Sequence, residues 1–146
     1  MGEQAENTIR INFSGTLAVC HALFPLLRPH ARVCHVSSSA GHLSEITGDE
    51  PAAAELRAKL AAETLTEEEL CGLMENFVTT AKDGTFRQAG WPGSTYVVSK
   101  VGVSALTGIQ QRALDSDPRP DLVVNSCHPG YVDTDMTSHK ALTSTT

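Results

Sequence analysis

Two short apolar segments, Arg32–Val36 and residues 122–126, most constrain the fold of this 146-residue chain. Each has the length and the valine content of a buried strand. The residues between them follow helical patterns, and strands joined through helices form a parallel sheet with a right-handed crossover. We therefore predict an α/β fold in which ligands bind beyond the carboxyl ends of the two strands.

Helical spacing of apolar residues predicts one helix before the first strand and three between the strands. The first contains Ile9, Phe13, Leu17, Cys20, Phe24 and Leu27, and Pro29 ends it. The second begins near residues 49–51, the third covers residues 67–82, and the fourth covers residues 94–114. Thr66 and Glu69 form a capping box for the third helix, and Gly84 has the place of a left-handed cap. We expect the Ser/Thr-rich end from Thr137 to be loose.

Composition excludes several classes of function. The net charge of −6 argues against nucleic acid as a partner, because no basic segment offsets it. We see no apolar run near the length of a membrane span and no signal-peptide pattern, so we expect no membrane partner. Four cysteines without a C-x-x-C pair are typical of reduced thiols in the cytoplasm.

Three Cys-His dipeptides raise the question of a metal site; they begin at Cys20, Cys34 and Cys127. Adjacent residues point in different directions on a helix or a strand, so each pair is a poor chelate. Buried thiols beside surface imidazoles explain the dipeptides better than zinc. We therefore predict no metal site.

Tyr96 and Lys100 are the strongest chemical signal. Four residues apart on a helix, they lie on the same face, one above the other. A nearby ammonium group favours the phenolate form of a tyrosine, which helps the phenol give up its proton to a substrate oxygen. The pair alone is common on solvated helices, so its meaning depends on the other motifs.

Further motifs occur in a fixed order around this pair. Asn12 precedes the first strand, a triple serine at residues 37–39 follows it, and Pro129-Gly130-x-Val132-x-Thr134 follows the second strand. This order resembles the catalytic half of the short-chain dehydrogenase/reductase family. Residues 65–74 and 90–92 look like its carbonyl reductase branch. The resemblance implies the C-terminal catalytic part of a doubly wound, parallel-sheet, Rossmann-type fold.

The resemblance also implies an activity, the NADPH-dependent reduction of an aldehyde, ketone or quinone to an alcohol. Tyr96 would be the general acid, and Lys100 would stabilise the phenolate and bond the nicotinamide ribose. Ser38 would hold the substrate oxygen, with Ser37 or Ser39 as the alternative in the triple serine.

Asn12 would hold a water molecule that relays protons to Lys100. The alternative for Asn12 is a helix asparagine that bonds the neighbouring backbone.

For the cofactor, the resemblance implies contacts from Tyr96, Lys100 and the segment after the second strand. The residues of that segment are Pro129, Gly130, Val132 and Thr134. His128 replaces a cysteine that is frequent in this branch, and Tyr131 replaces its more usual tryptophan. Both changes put the substrate preference in doubt, and not the type of reaction.

The family's Gly-rich dinucleotide fingerprint does not occur in this sequence. We therefore expect residues 1–146 to form a partial Rossmann-type domain that lacks the N-terminal dinucleotide-binding part. Residues 39–95 would be a helical insertion that covers the surface through which other family members pair, which implies a monomeric full-length form. The alternative is a truncated, non-catalytic form that acts, if at all, as an interaction partner.

Overall fold

A computed structural model describes residues 1–138 of the chain. The helices are α1 (Gly2–Ile9), α2 (Gly15–Leu23), α3 (Ala52–Ala61), α4 (Glu67–Asp83) and α5 (Thr95–Asp115), and the strands are β1 (Arg32–Val36) and β2 (Val123–Cys127). Most of the Ser/Thr-rich end that we expected to be loose lies outside the described residues; Thr137 itself ends a short 3-10 turn, Asp135–Thr137.

Strands β1 and β2 pair in parallel, as the sequence predicted. The register places Arg32 opposite Val123 and Val36 opposite Cys127. The second strand lies one residue further along the chain than predicted, since Leu122 precedes the first paired residue, Val123. The carboxyl ends of both strands therefore meet at the same edge of the sheet, where the fold places ligands.

The first predicted helix is continuous from Gly2 to Leu26 but not uniform. A π-helical turn, Arg10–Ser14, separates α1 from α2, and the amide of Gly15 donates to the carbonyl of Arg10. π-turns inside α-helices occur frequently at functional sites. The turn contains Asn12, whose carbonyl accepts a hydrogen bond of 2.8 Å from the hydroxyl of Thr16.

This helical stretch corrects our reading of the sequence on one point. Gly2–Leu26 is long and apolar enough to span a membrane, with a mean hydropathy of 1.2, and 17% of the apolar window is buried. The sequence reading missed it because the apolar residues lie on both sides of the helix. Phe13 and Leu17 are buried, whereas Val19 and Leu23 are more than half exposed. A core helix of a soluble protein passes the same test of length and composition.

Helices α3 and α4 lie within residues 39–95, and α4 begins at the capping box that the sequence predicted. The hydroxyl of Thr66 accepts from the amide of Glu69, and the carboxylate of Glu69 accepts from the amide of Thr66 at 2.9 Å. Hydrogen bonds that the amide and the hydroxyl of Thr66 donate to this carboxylate hold the pKa of Glu69 below its usual value. Gly84 ends α4 at φ 78°, a conformation that residues with a Cβ rarely adopt.

Helix α5 packs along the sheet and joins it to the other helices. The apolar core lies between α5, α4 and the N-terminal helix; its largest fully buried side chains are Trp91, Phe13, Phe77, Ile46, Leu70, Met74 and Leu106. Trp91 contacts Phe77 edge to face at 5.5 Å between ring centroids. A Cβ on Gly102 would lie 2.8 Å from the sulfur of Met74, so the Met74 side chain would have to move to admit it.

The Cys-His dipeptides fulfil only part of the prediction of buried thiols and surface imidazoles. Cys20 is buried beside an exposed His21, as expected. On β1 the order is reversed, because Cys34 faces solvent and His35 lies under α5, where its Nε2 is 2.7 Å from Oε1 of Gln110. Strand alternation decides this, since successive side chains of a strand point to opposite faces.

Candidate active site

The N-terminus of α5 positions Tyr96 and Lys100. Ser94 caps the helix, and its hydroxyl accepts from the amide of Val97. Tyr96 follows in the first turn and is 41% exposed, so a substrate can reach its phenol. Lys100 lies one turn further on, with its Nζ 5.7 Å from the centroid of the Tyr96 ring. The predicted pair therefore does lie on one face of the helix.

Lys100 also connects α5 to the sheet. Its ammonium donates a 2.8 Å hydrogen bond to the carbonyl of Val36, the last residue of β1. A lysine ammonium carries three protons, so two remain for other acceptors. The hydrogen bond to Val36 holds the ammonium charge of Lys100 between Tyr96 and the carboxyl end of β1.

The three serines after β1 have different surroundings. Ser37 is 5% exposed; its hydroxyl donates to the carbonyl of Lys100 at 3.2 Å and lies 2.8 Å from the hydroxyl of Ser104. Ser38 is half-buried, and its hydroxyl accepts from the amide of Ala40 at 3.2 Å, which leaves its proton available. Ser39 is exposed. Ser37 thus has a packing role, whereas Ser38 has the freedom to bind a ligand.

Asn12 reaches α5 through Ser99. Its side-chain amide donates to the hydroxyl of Ser99 at 3.1 Å, and that hydroxyl donates to the carbonyl of Tyr96 at 2.8 Å. Ser99 is fully buried. The amide of Asn12 therefore supports the turn that carries Tyr96.

Sequence reasoning missed the part that Ser99 takes in this site. A signal for it was present, because a small polar residue directly before Lys100 falls on the inner face of the same helix. Its partner on another helix could not be read from the sequence, since that contact depends on how the N-terminal helix packs on α5.

The predicted cofactor segment begins at Pro129, two residues after the end of β2. Pro129, Gly130, Val132 and Thr134 are all exposed, and Gly130 has φ 87° with open space around it. The amide of Ser37 donates to the carbonyl of Cys127 at 2.9 Å, which brings the two strand ends together. The segment thus follows β2, and the serines follow its neighbour β1. Both lie at the edge of the sheet where Lys100 contacts Val36.

A metal centre finds no support in the part of the chain that the structure describes. Residues 1–138 contain no group of three or more His, Cys, Asp or Glu side chains that could hold an ion. Four cysteines are free: Cys20, Cys34, Cys71 and Cys127. The arrangement of phenol, ammonium and hydroxyl suits proton transfer to a polarised oxygen.

Curated relatives match the chain over nearly its whole length. Carbonyl reductase [NADPH] 1 from Rattus norvegicus is 45% identical over 139 residues, which are 94% of this chain and 49% of the relative. The protein of the same name from Homo sapiens is 43% identical over the same shares of both chains. The chain therefore spans about half the length of the curated relatives it matches. No family model matches it.

Solved structures agree with these matches. Salutaridine reductase from Papaver somniferum is similar with a TM-score of 0.81 and 28% identity, over 97% of this chain and 46% of that one. Menthone neomenthol reductase from Mentha piperita is similar with a TM-score of 0.73 and 29% identity, over 88% and 43%. The fold is thus a Rossmann-type α/β fold, as predicted.

These findings confirm the resemblance on which the site was predicted. The chain is similar over nearly its whole length to curated carbonyl reductases, about half of whose length it spans. Its structural neighbours are reductases of the short-chain dehydrogenase/reductase family.

Proposed function

We propose that this chain carries the catalytic residues of an NADPH-dependent carbonyl reductase, with Tyr96 as the general acid. One observation supports this most strongly. The phenol of Tyr96 is exposed beside the ammonium of Lys100, which the carbonyl of Val36 holds at the carboxyl end of β1. The names of the relatives supply the reaction and the cofactor.

In this proposal the substrate is a small molecule with an aldehyde, ketone or quinone carbonyl. The hydroxyl of Ser38 donates a hydrogen bond to the carbonyl oxygen and orients it towards the phenol. Tyr96 transfers its proton to that oxygen as negative charge develops, and the nearby Lys100 stabilises the phenolate that remains. Asn12 supports the turn through Ser99, and we keep the water relay to Lys100 as a part of the proposal.

The residues present fit one end of NADPH, which supplies the hydride. Lys100 has two free protons for the ribose, and the exposed segment from Pro129 to Thr134 has room for a ligand around Gly130. The pyrophosphate end lacks its usual partner, because the sequence contains no Gly-rich turn before a helix. We therefore expect the 146-residue chain alone to bind NADPH weakly.

A specific observation favours a second candidate function, an interaction partner without catalysis. The N-terminal helix and the free edge of β1 border an open groove of about 580 Å³. Ile11, Val19 and Leu23 line it with more than half of their surfaces exposed. Apolar side chains beside an unpaired strand edge are typical of a surface that associates. Sedimentation at rising protein concentration tests this candidate, and a monomer throughout would speak against self-association.

Aldehyde-dependent oxidation of NADPH tests the main proposal. We expect little turnover by the 146-residue chain, and measurable turnover by a chimaera in which this chain replaces the matching half of the rat carbonyl reductase. An inactive chimaera that still binds NADPH would count against the proposal that this chain carries the catalytic residues. Sedimentation of the chimaera would test the expected monomeric state. The location of the native protein in the cell would test the expected cytoplasmic localisation.

A further inference from the structure

A cavity of about 260 Å³ lies between α5 and the residues where α3 ends. Its lining on the helix includes Val101, Ala105, Gly108 and Arg112. These residues recur every three or four positions, so they share one face of α5. The face begins one residue after Lys100, which turns it about 100° around the helix axis from the face of the proposed catalytic pair. The cavity thus lies on a different side of α5 from the candidate active site.

Apolar side chains form the inner walls of this cavity. Leu60, Leu65 and Val101 are buried and line it. Ala105 and Gly108 present little or no side chain, which leaves the space between the walls open. An engineered apolar cavity of about 150 Å³ is large enough to bind benzene. The cavity beside α5 therefore has room for one ring with a short chain.

Arg112 lies across the open end of the cavity. Both Gly108 and Arg112 are exposed, which marks this end. Nη2 of Arg112 donates a hydrogen bond of 2.9 Å to the carbonyl of Leu65 on the opposite wall. A Cβ on Gly108 would lie 3.6 Å from Nη1 of Arg112, so the guanidinium reaches from α5 to the Leu65 wall. A guanidinium group has five N–H donors, so donors remain for a ligand.

The charge of Arg112 has no acidic partner in the part of the chain that the structure describes. Within residues 1–138, no carboxylate forms an ion pair with it. Asp115 follows on the same helix, but its Oδ1 accepts from the side-chain amide of Gln111 at 2.7 Å. The carboxylate of Glu69, near the start of α4, accepts from Thr66. An anionic ligand would therefore meet an unpaired positive charge at the open end.

The polar groups at the inner end of the cavity already have partners. The hydroxyl of Ser104 lies 2.8 Å from that of Ser37, and Ser37 donates to the carbonyl of Lys100. A Cβ on Gly41 would lie 2.7 Å from Oγ of Ser104, so close packing shuts this end. The inner part of the cavity thus suits an apolar group, and the open end suits an anion.

We propose that this cavity is a binding site for a small carboxylate with an apolar body. The body lies between Leu60, Leu65 and Val101, and the carboxylate accepts hydrogen bonds from the free N–H groups of Arg112. A carboxylate matches the planar guanidinium, and charge-assisted hydrogen bonds are about twice as strong as neutral ones. Neither Tyr96 nor Lys100 lines the cavity, so the site does not depend on the proposed function.

Calorimetric titration of the 146-residue chain with hydrocinnamate, at neutral pH, tests the proposal. Hydrocinnamamide is the matched neutral ligand, because it has the same ring and chain. We expect one equivalent of the acid to bind with a dissociation constant of about 1 mM or lower, as its few atoms allow. The amide should bind at least about fivefold more weakly, because it lacks the charge that pairs with Arg112.

Two variants separate the charge from the space. Arg112→Gln should lower the affinity for hydrocinnamate to that for the amide and leave the affinity for the amide unchanged. Ala105→Leu should prevent the binding of both ligands, because the larger side chain fills the cavity. Arg28→Gln is the matched control for the lost charge. Arg28 is exposed and does not line the cavity, so both affinities should stay the same.

Several outcomes would overturn the site. They are a lack of saturation by about 10 mM acid, equal affinities of the wild type for acid and amide, and full binding by Ala105→Leu. An equal loss in Arg28→Gln would also do so. A loss of amide binding in Arg112→Gln would show that the arginine only shapes the cavity. Circular dichroism must match among the proteins. If Ala105→Leu does not fold, the titrations of the wild type and Arg112→Gln with both ligands decide alone.

Discussion

The ammonium of Lys100 donates a hydrogen bond of 2.8 Å to the carbonyl of Val36, and this contact joins α5 to the sheet. Val36 is the last residue of β1, and Ser38 follows two residues later. The bond therefore fixes the distance between the lysine of α5 and the serine segment. It gives the lysine a structural task in addition to its proposed roles towards Tyr96 and the ribose.

Replacement of Lys100 tests this double role. In the chimaera with the rat enzyme, Lys100→Ala should lower turnover and also weaken NADPH binding, because one ammonium serves both. Lys59→Ala is the control, since Lys59 is an exposed residue of α3. Steady-state kinetics and a cofactor titration measure the two effects separately. A loss of turnover with unchanged cofactor affinity would remove the ribose contact from the proposal.

The serines give a second prediction. Ser38→Ala should reduce turnover with little change in the free energy of unfolding. Ser37→Ala should destabilise the chain by about 1 kcal/mol, because it removes a buried hydroxyl that bonds Lys100 and Ser104. Urea unfolding and steady-state kinetics on both variants check this. The opposite pattern would assign the substrate contact to Ser37.

Asn12 gives a third prediction. Asn12→Ala should lower the free energy of unfolding by about 1 kcal/mol, because the buried hydroxyl of Ser99 loses its donor. The fluorescence of Trp91, which is fully buried, can follow the unfolding. Asn7→Ala is a control on the exposed side of the same helix. Equal stability of Asn12→Ala and the wild type would show that the amide has no supporting role.

The turn after α5 gives a prediction about pH. Hydrogen bonds from Arg119 lower the pKa of Asp117 from 3.8 to about 2. Arg119 in turn donates to the carbonyls of Phe24 and Leu27, so the pair ties the turn to the end of the N-terminal helix.

A carboxyl group whose pKa is lowered by folding stabilises the folded state at pH values above its pKa in the unfolded chain. This contribution disappears as the pH falls through its pKa in the folded state. Asp117→Asn should therefore lower the urea midpoint at neutral pH, and the difference from the wild type should disappear only once the pH lies below about 2. Glu63→Gln, at an exposed position, should match the wild type throughout. A difference between Asp117→Asn and the wild type that persists at the acidic end would contradict the ionic origin.

Local patterns in the sequence were enough to predict most of the fold. β1 and the capping box of Thr66 and Glu69 follow from short-range chemistry, and both are as predicted. The π-turn around Asn12 was not predictable, because one extra residue in a helical turn leaves the apolar spacing almost unchanged. The side of β1 on which Cys34 lies was also missed, since it depends on which face α5 covers.

For the site, the spacing of Tyr96 and Lys100 on one helix face followed from the sequence. The contacts of Lys100 with Val36 and of Asn12 with Ser99 did not, because each joins segments far apart in the chain. The roles of the site residues stay predictions, and so does the expected contact of Thr134 with the cofactor.

The turnover of Tyr96→Phe in the chimaera is the most direct test of the proposed function. Phenylalanine keeps the packing of the ring and removes only the acidic proton. We predict that kcat for an aldehyde falls by at least about a hundredfold, the usual contribution of general acid catalysis, while the dissociation constant of NADPH stays nearly the same. Retention of more than about a tenth of the wild-type kcat would contradict the assignment of Tyr96 as the general acid.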